Sequence, residues 1–261
     1  MSKIICGKIK RLDMLTPEIY KMKIESEYVS CNAEPGQFIN LKCSDEINHI
    51  LRRPISICLV DQQTKTFDIV FMLKGKGTKL LSQKEAGCMI DFIGPLGTPF
   101  DLSDSYKKIA VIGGGIGIFP LLFLLQKTKA QQKSAFIGFR NSNFIVFQKE
   151  FEDYSHELNI ATDDGSFGYR GLVTDLLLED LRENKYDIIY SCGPAPMLKK
   201  IKEIAKDNEI KCQMSLEQRM GCGIGACLVC VCKIKKGDDW EYKRVCTDGP
   251  VFWSDEIILE D

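Results

Sequence analysis

The sequence Met220-Gly221-Cys222-Gly223-Ile224-Gly225-Ala226-Cys227-Leu228-Val229-Cys230 decides how the rest of this 261-residue chain is interpreted. Its cysteines have the spacing C-x4-C-x2-C, and a fourth cysteine, Cys246, follows further along. This spacing is typical of a plant-type 2Fe–2S site, where four thiolates converge from one tight loop and one outlying residue. The interspersed glycines allow the loop to adopt positive φ and to turn its amides toward the cluster sulfurs. The sequence therefore predicts a 2Fe–2S cluster held by Cys222, Cys227, Cys230 and Cys246.

A structural zinc site is the alternative for the same four cysteines, because zinc also accepts four thiolates. Zinc sites are usually built from C-x-x-C pairs. A gap of four residues inside a cysteine triplet is more typical of iron–sulfur proteins. A protein of the zinc class would be an interaction subunit that binds a nucleotide for regulation, and it would be colourless.

The composition is that of an ordinary globular protein. A net charge of −1, with 44% hydrophobic and 27% charged residues, indicates neither a nucleic-acid nor an anionic membrane partner. The N-terminal residues alternate apolar and polar side chains, so they predict neither a signal peptide nor a membrane span. Twelve cysteines without a secretory signal favour free thiols over a disulfide framework. The expected location is the cytoplasm.

Residues 1–102 predict a small antiparallel β-barrel. Six β-rich runs are separated by turn residues, a spacing typical of such barrels. The predicted strands are Ile4–Lys10, Ile19–Ile24, Gln37–Leu41, Ile55–Val60, Thr66–Leu73 and Met89–Ile93, with one short helix at Thr78–Gln83.

Two features of this barrel indicate a bound dinucleotide. Arg52 and Arg53 offer a fork of donors to a phosphate, and Ser56 follows where a hydroxyl could meet a heterocycle. Gly75, Gly77 and Thr78 lead into a helix whose N-terminus favours anions. Taken alone, the first feature could be an exposed edge strand with solvated arginines. The second could be a glycine turn with an N-cap threonine. Together they favour a flavin.

Residues 103–212 predict a parallel α/β domain that binds a pyridine nucleotide. Strands and helices alternate from Lys108 to Asp207, which is typical of a parallel sheet with ligand loops at the carboxyl ends of its strands. The first strand runs into the glycines of residues 113–117, as in dinucleotide-binding folds. However, Ile118 stands where the third glycine of the usual pattern belongs, so a close-packed strand–helix corner is the alternative.

The choice between NAD and NADP depends on the end of the second strand of this domain. Arg140 follows that strand, where many NAD-binding folds carry an acid for the ribose. A 2′-phosphate site needs paired cations, and the neighbours of Arg140 add none. The sequence therefore favours NAD.

Residues 213–261 predict a small cluster module. Val231–Lys235 and Trp240–Val245 flank a turn and form a candidate hairpin, which returns Cys246 to the cysteine loop. The exposed side of this loop is a predicted docking surface for a partner. Residues 249–253 are further candidate contacts of that surface.

The barrel, nucleotide and cluster motifs resemble the ferredoxin–NADP reductase superfamily, and Arg53-Pro54-Ile55-Ser56 resembles its flavin motif, with Ile55 in place of the usual tyrosine. The resemblance implies FAD and NAD sites. In the FAD site the arginine contacts the pyrophosphate, the serine lies near the hydride-accepting nitrogen, and the glycine–threonine turn holds phosphate. The implied FAD residues are Arg53, Pro54, Ile55, Ser56, Val70, Phe71, Met72, Gly77 and Thr78. The implied NAD residues are Gly113, Gly114, Gly115, Ile116, Gly117, Asp164, Gly165, Cys192, Gly193 and Pro194.

Over nearly its whole length, the chain is similar to one family of this superfamily, the electron-transfer subunits of type B, NAD-dependent dihydroorotate dehydrogenases. Residues 51–56, 217–227 and 248–252 are the most specific segments. A sister family, the small subunit of NADH-dependent ferredoxin–NADP reductases, has Asp where this chain has Cys222. The cysteine therefore favours the dihydroorotate family.

The family resemblance implies electron transfer between NAD and a partner subunit through FAD and the 2Fe–2S cluster. The implied partner is an FMN-containing dihydroorotate dehydrogenase catalytic subunit, in a heterotetramer with two copies of each chain. The pathway is pyrimidine biosynthesis, and no acid–base residue is expected in this chain. A reductase for a ferredoxin, a hydrogenase or a sulfur-reducing partner is the alternative within the oxidoreductases.

Overall fold

A computed structural model describes residues 3–44, 46 and 50–259 of the chain. The N-terminal region forms a closed antiparallel barrel with the strand order β1-β2-β5-β4-β3-β6. Its strands are β1 (Lys3–Met14), β2 (Ile19–Glu25), β3 (Phe38–Leu41), β4 (Arg53–Asp61), β5 (Thr66–Met72) and β6 (Met89–Leu96). All six predicted strands are present, and side chains such as Ile39, Phe67 and Phe92 fill the interior.

Two short helices accompany the barrel. Helix α2 (Lys76–Ser82) is the predicted one and begins two residues earlier than expected, directly after Gly75. Helix α1 (Glu27–Asn32) was not predicted. It is only six residues long, and the Ser26 hydroxyl caps it by accepting a hydrogen bond from the Val29 amide. A helix of fewer than two turns leaves no hydrophobic periodicity in the sequence.

A seven-stranded sheet follows, with the order β10-β9-β8-β7-β11-β12-β15. Its strands are β7 (Lys108–Gly114), β8 (Gln132–Phe139), β9 (Glu157–Thr162), β10 (Tyr169–Arg170), β11 (Ile188–Cys192), β12 (Lys211–Ser215) and β15 (Val251–Trp253). The first six run parallel to their neighbours, and β15 is antiparallel to β12. The parallel part places the loops after β7, β9 and β11 at one edge of the sheet.

Four helices cover this sheet, and they are α3 (Ile118–Lys127), α4 (Gln148–Tyr154), α5 (Val173–Asp180) and α6 (Ala195–Asp207). Helix α3 also fixes the sheet against the barrel. Its Phe123 is fully buried in the barrel core. Its Gln126 side chain accepts a hydrogen bond from the Val60 amide at 3.1 Å and donates one to the Val60 carbonyl at 2.9 Å. The barrel and the sheet are therefore held in one orientation.

The C-terminal region contains a three-stranded sheet with the order β14-β13-β16, formed by β13 (Val231–Lys236), β14 (Asp239–Arg244) and β16 (Ile257–Ile258). The first two strands are the predicted hairpin, and Cys246 lies just beyond β14. The order of antiparallel barrel, largely parallel sheet and small C-terminal sheet agrees with the predicted architecture.

Two features of this region differ from expectation. The predicted domain limit between residues 212 and 213 falls inside β12, and β15 returns to the central sheet beside it. The limits 1–102, 103–212 and 213–261 therefore stay a prediction. The second difference concerns residues 249–253, which were candidate docking contacts. That prediction was wrong for residues 249–252, which are buried against β12 and the barrel, whereas Trp253 is half-buried and stays a candidate.

Among the described residues, the helices are too short or too polar to cross a lipid bilayer.

Candidate functional site

Two cavities adjoin at the junction of the barrel and the parallel sheet. The first has a volume of about 420 Å³ and lies against the barrel strands β4 and β5. The second has a volume of about 780 Å³ and lies over the loops at the carboxyl edge of the sheet. Both are lined by the same four residues, Met72, Lys74, Ile116 and Glu217. Ligands in the two cavities would therefore meet at this junction.

The first cavity collects most of the predicted FAD residues. Its lining includes Arg53, Pro54, Ile55, Ser56, Val70, Phe71, Met72 and Thr78. These residues come from two barrel strands and from the first turn of α2. The cavity is partly apolar and carries one arginine and several hydroxyl groups, which suits a flavin with a phosphate tail.

Arg53 lies across Gly77 at the start of α2. A Cβ atom at Gly77 would be 2.7 Å from Arg53 Nε, so the glycine provides the space that the guanidinium occupies. Thr78 Oγ1 accepts hydrogen bonds from the Lys74 amide at 3.0 Å and the Gly75 amide at 3.3 Å. The arginine and this turn are therefore brought together, as a phosphate site requires.

The two arginines of the sequence motif have different environments. Arg52 forms an ion pair of 2.7 Å with Asp91 on β6 and donates to the Asn40 carbonyl at 3.4 Å. Arg53 donates to the carbonyl groups of Leu51 and Arg52, and it lines the first cavity. Only Arg53 is therefore available to a ligand there.

The second cavity collects part of the predicted NAD site. Gly114, Gly115, Ile116, Gly117, Gly193 and Pro194 line it. Gly113, Asp164 and Gly165 do not, and they stay predictions. Asp163 takes the place expected for Asp164, and Arg140 lies on the same cavity wall. The sequence could not separate Asp163 from Asp164, because they are adjacent in one loop.

The glycine-rich turn of residues 113–117 provides both close packing and space for a nucleotide, the two alternatives that the sequence left open. Gly117 permits close packing, since a Cβ there would be 2.3 Å from the Cys192 carbonyl oxygen. Gly115 has φ of +56°, and a Cβ there would have no neighbouring atom within 4 Å, so its backbone faces open space. The turn is thus a tight strand–helix corner with one exposed backbone segment where a nucleotide can approach.

Cys192 lines the first cavity rather than the second. Its side chain is buried, and this burial, with the nearby Glu217, raises the pKa of the thiol to about 12. The thiol is therefore protonated at any physiological pH and is a poor nucleophile. Cys192 was predicted as part of the NAD site, and that assignment stays a prediction, since the residue lines the other cavity.

Lys74 and Glu217 are the candidate residues that sequence reasoning missed. Both are exposed, and both line the junction of the two cavities. Lys74 directly precedes the glycine turn, which was the only available signal. Glu217 follows β12, and no pattern in the sequence connects it to Lys74, which follows β5 more than a hundred residues earlier.

The four predicted cluster ligands form two pairs. The Cys227 side chain interacts with the Cys222 thiol and the Cys230 side chain with the Cys246 thiol, closely enough for each to alter its partner's pKa. Within residues 3–44, 46 and 50–259, no three His, Cys, Asp or Glu side chains surround a single metal-ion position. A 2Fe–2S cluster takes two thiolates at each iron, so two pairs fit it without such a convergence.

The loop around Cys222 favours a thiolate. Burial opposes ionisation, but hydrogen bonds from the backbone amides of Ile224 and Cys227 outweigh it and lower the pKa of Cys222 to about 6. These amides lie 3.5 and 3.4 Å from the sulfur. Gly223 and Gly225 have φ of +71° and +81°, which turns the amides inward as predicted. Thiolate character and inward amides suit an iron–sulfur ligand.

Cys246 reaches the loop because the hairpin is tied to it. Arg244, at the end of β14, donates from Nη1 to the Gly225 carbonyl at 3.0 Å. Asp248 holds that arginine by accepting from its backbone amide at 2.8 Å and from Nε at 3.3 Å. Cys246 is fully buried between these contacts, and burial with the neighbouring Cys230 raises the pKa of its thiol to about 11.

Comparison with known proteins identifies the family. A family model described as the iron-sulfur cluster binding domain of dihydroorotate dehydrogenase B matches residues 217–258, and an oxidoreductase NAD-binding domain matches residues 111–203. The electron transfer subunit of dihydroorotate dehydrogenase B (NAD(+)) from Caldanaerobacter subterraneus subsp. tengcongensis is 40% identical, over 94% of this chain and 94% of the relative. The chain belongs to this family. The subunit from Desulforamulus reducens is 37% identical over 100% of both chains.

Solved structures agree with the fold. An NADH-dependent reduced ferredoxin-NADP oxidoreductase superposes with a TM-score of 0.86, at 27% identity, over 99% of this chain and 92% of the other. A ferredoxin NADP+ reductase from Neisseria gonorrhoeae, solved with FAD and NADP, gives 0.67 at 19% identity, over 79% of this chain and 92% of the other. The second likeness concerns the fold alone.

Membership of the family makes the chain an oxidoreductase subunit that serves electron transfer and has a dihydroorotate dehydrogenase catalytic partner. The predicted family, function and fold are confirmed. The iron–sulfur family match also favours a cluster over structural zinc at the four cysteines.

Proposed function

We propose that the chain holds FAD in the first cavity, NAD in the second and a 2Fe–2S cluster on Cys222, Cys227, Cys230 and Cys246. With these groups it connects NAD to the FMN of a dihydroorotate dehydrogenase catalytic subunit, for orotate formation in pyrimidine biosynthesis. When bound, the flavin exchanges hydride with nicotinamide and single electrons with the iron–sulfur cluster. An assembly with two copies of each chain belongs to the same proposal.

One observation carries this proposal, namely that the flavin cavity adjoins both other sites. It shares Met72, Lys74, Ile116 and Glu217 with the nucleotide cavity. It is also lined by Met220, which precedes Cys222 by two residues and does not line the nucleotide cavity. The cluster loop therefore adjoins the flavin cavity rather than the nucleotide cavity, which suits the order nicotinamide, flavin, cluster.

The side chains at the junction have distinct tasks. Arg53 supplies a fork of donors to the FAD pyrophosphate, where a lysine would offer only a point charge. Ser56 presents a hydroxyl beside the flavin ring. The Glu217 carboxylate lies where the cavities meet, so it can stabilise the positive charge that a nicotinamide ring gains on oxidation. Met72 and Ile116 exclude water from the same place.

The second cavity supports NAD rather than NADP. Asp163 and Arg140 both lie on its wall. A carboxylate suits the ribose hydroxyls of NAD and repels the 2′-phosphate of NADP.

The face of the cluster loop is the proposed docking surface for the catalytic subunit. Ile224, Leu228 and Val229 are 50%, 75% and 55% exposed, although they are apolar and lie among the cluster ligands. Leu51 is 51% exposed and directly precedes Arg52. Arg52 donates a hydrogen bond to the Asn40 carbonyl, and Asn40 donates one to the Cys222 carbonyl, so these bonds connect the segment of Leu51 to the cluster loop. Exposed apolar groups concentrated around a redox centre indicate a protein contact there.

The test is reconstitution with an FMN-containing dihydroorotate dehydrogenase catalytic subunit. Both subunits are purified anaerobically, and NAD+ reduction is followed at the NADH absorbance after dihydroorotate is added. We expect reduction only when both subunits are present. A stable mixture with FAD and iron–sulfur absorption but no dihydroorotate-dependent NAD+ reduction would contradict the proposal. Activity with reduced ferredoxin instead would support the alternative reductase function, which the structure of the NADH-dependent ferredoxin-NADP oxidoreductase motivates.

A further inference from the structure

Asn40 connects the flavin barrel directly to the first cluster ligand. Its side chain is 1% exposed and lies on β3, and its Nδ2 donates to the Cys222 backbone carbonyl at 3.1 Å. The opposite assignment of its amide would place one carbonyl oxygen against another, so the donor must face the loop. Asn40 Oδ1 is buried without a hydrogen-bond partner among the described residues. The side chain therefore holds Cys222 although half of its amide stays unpaired.

The position of Asn40 on its strand places it next to the flavin cavity. Side chains alternate along a strand, so Phe38 and Asn40 lie on one face, about 7 Å apart. Phe38 lines the flavin cavity, whereas Ile39 and Leu41 point into the barrel core. Across the ladder Asn40 pairs with Pro54, which also lines the cavity. Asn40 is thus attached on one side to the flavin site and on the other to the cluster loop.

The loop is shaped to receive this side chain. A Cβ atom at Gly223 would lie 2.3 Å from Asn40 Nδ2, so only glycine permits this approach. In a trans peptide, the carbonyl and the following N–H point in opposite directions. The hydrogen bond to the Cys222 carbonyl therefore also fixes the direction of the Gly223 amide, immediately before the Ile224 amide that faces the Cys222 sulfur.

Arg52 holds the backbone of Asn40 in turn. Its guanidinium donates to the Asn40 carbonyl at 3.4 Å and to the Asp91 carbonyl at 3.3 Å, and it pairs with the Asp91 carboxylate at 2.7 Å. These contacts tie β3, β4 and β6 together at the point where the cluster loop meets the barrel. The support for Cys222 is therefore anchored in three strands.

We propose that Asn40 is a positioning residue that fixes the cluster against the flavin cavity and thereby sets the rate of electron passage between them. This inference rests on the proposed function. Electron tunnelling slows steeply with distance, and a ligand held through its carbonyl keeps both the distance and the orientation constant. Loss of such an outer contact to a metal ligand typically costs about 10- to 100-fold in function.

The test compares Asn40→Leu and Asn40→Asp with the wild type, each purified anaerobically with FAD and iron measured. Both variants keep the size of the side chain and remove the N–H donor. Asn208→Leu is a control for the loss of an asparagine donor, because Asn208 Nδ2 also donates to a backbone carbonyl, that of Ile204 at 2.8 Å, but at the exposed end of α6.

Three readouts separate positioning from general damage. With NADH in a stopped-flow instrument, flavin bleaching reports hydride transfer and later cluster bleaching reports electron passage. We expect the second rate to fall about 10- to 100-fold in both variants, with the first unchanged. The electron paramagnetic resonance spectrum of the reduced cluster should shift, and hydrogen exchange of residues 220–230 should quicken. The control should match the wild type in all three.

Unchanged cluster reduction and an unchanged resonance spectrum in the Asn40 variants would overturn the proposal. Loss of iron with FAD retained in both variants would also overturn it, since Asn40 would then only hold the loop together. A wild-type protein whose cluster NADH cannot reduce would instead refute the proposed function, so the two failures are distinguishable.

Discussion

Gly223→Ala is expected to destabilise the protein more than the same change at Gly237. Both glycines have positive φ, +71° and +62°. Alanine in that conformation costs about 1–2 kcal/mol, and reduced freedom of the unfolded chain returns about 0.4–1 kcal/mol. This net cost of about 1 kcal/mol applies equally to both positions. At Gly237, in the β13–β14 turn, a Cβ has no neighbour within 4 Å.

At Gly223 the added Cβ would lie 2.3 Å from Asn40 Nδ2, so the amide must move and lose its bond to Cys222. Leaving this buried amide without a partner costs about 1–3 kcal/mol more. The total at Gly223 is thus about 3 kcal/mol against about 1 kcal/mol at Gly237. At about 2–4 °C per kcal/mol for a chain of this size, the extra loss in melting temperature is about 4–8 °C.

The assay is thermal unfolding followed by circular dichroism, with both variants and the wild type scanned anaerobically at one rate. The double variant Gly223→Ala with Asn40→Ala closes the cycle, because truncating Asn40 removes the clash. We expect this pair of changes to be less destabilising than the sum of the two single changes. Equal melting temperatures for Gly223→Ala and Gly237→Ala, or additive effects in the cycle, would refute the close contact between the loop and the barrel.

Three further predictions address the cavities and the core. Glu217→Gln should slow hydride transfer from NADH to FAD by about 10- to 100-fold without weakening FAD binding. Flavin bleaching in a stopped-flow instrument measures this rate. The control Glu209→Gln should leave the rate unchanged, because Glu209 lines neither cavity. Arg53→Lys should weaken FAD binding about 10- to 100-fold, because hydrogen bonds to a charged group are worth about 1.5–3 kcal/mol. Titration followed by flavin fluorescence measures the affinity. If Arg53→Lys bound FAD as tightly as the control Arg11→Lys, which changes an exposed arginine, the prediction would be contradicted. Burial raises the pKa of Cys212 to about 12 from an ordinary 9.0, so above pH 9 the unfolded chain releases a proton that the folded chain retains. The free energy of unfolding should therefore fall as pH rises from about 9 to 12, by up to about 1.4 kcal/mol per pH unit. Urea unfolding of Cys212→Ser should show a smaller decrease over this pH range. An equal decrease in the variant and the wild type would exclude this thiol as a cause.

Local patterns in the sequence were sufficient for most of the fold. Alternating apolar residues predicted all six barrel strands, because each strand has one face in the barrel core. Strand β15 was missed for the opposite reason. It has only three residues, and it exists because it pairs with β12, a contact between segments that are distant in sequence. The buried position of Val251 and Phe252 follows from that pairing.

The candidate site likewise contains residues that local patterns predicted and residues that only tertiary contacts bring to it. Cys222 to Cys230 and Arg53 to Ser56 are continuous motifs whose spacing reflects the geometry of one loop or one strand. Glu217 and Lys74 belong to the site only because two domains bring them to one junction. Asn40 is a polar residue in an apolar strand, and its partner is the carbonyl of a residue 182 positions away. Tertiary contacts of this kind leave no local pattern in the sequence.

The most direct test of the order nicotinamide, flavin, cluster uses protein from which FAD has been removed while the cluster remains. NADH is added anaerobically, and the cluster absorbance is recorded before and after FAD is restored. Because Met220 of the cluster loop lines the flavin cavity and not the nucleotide cavity, we predict no cluster reduction until FAD is added. Reduction of the cluster by NADH in the FAD-free protein would contradict the proposed path.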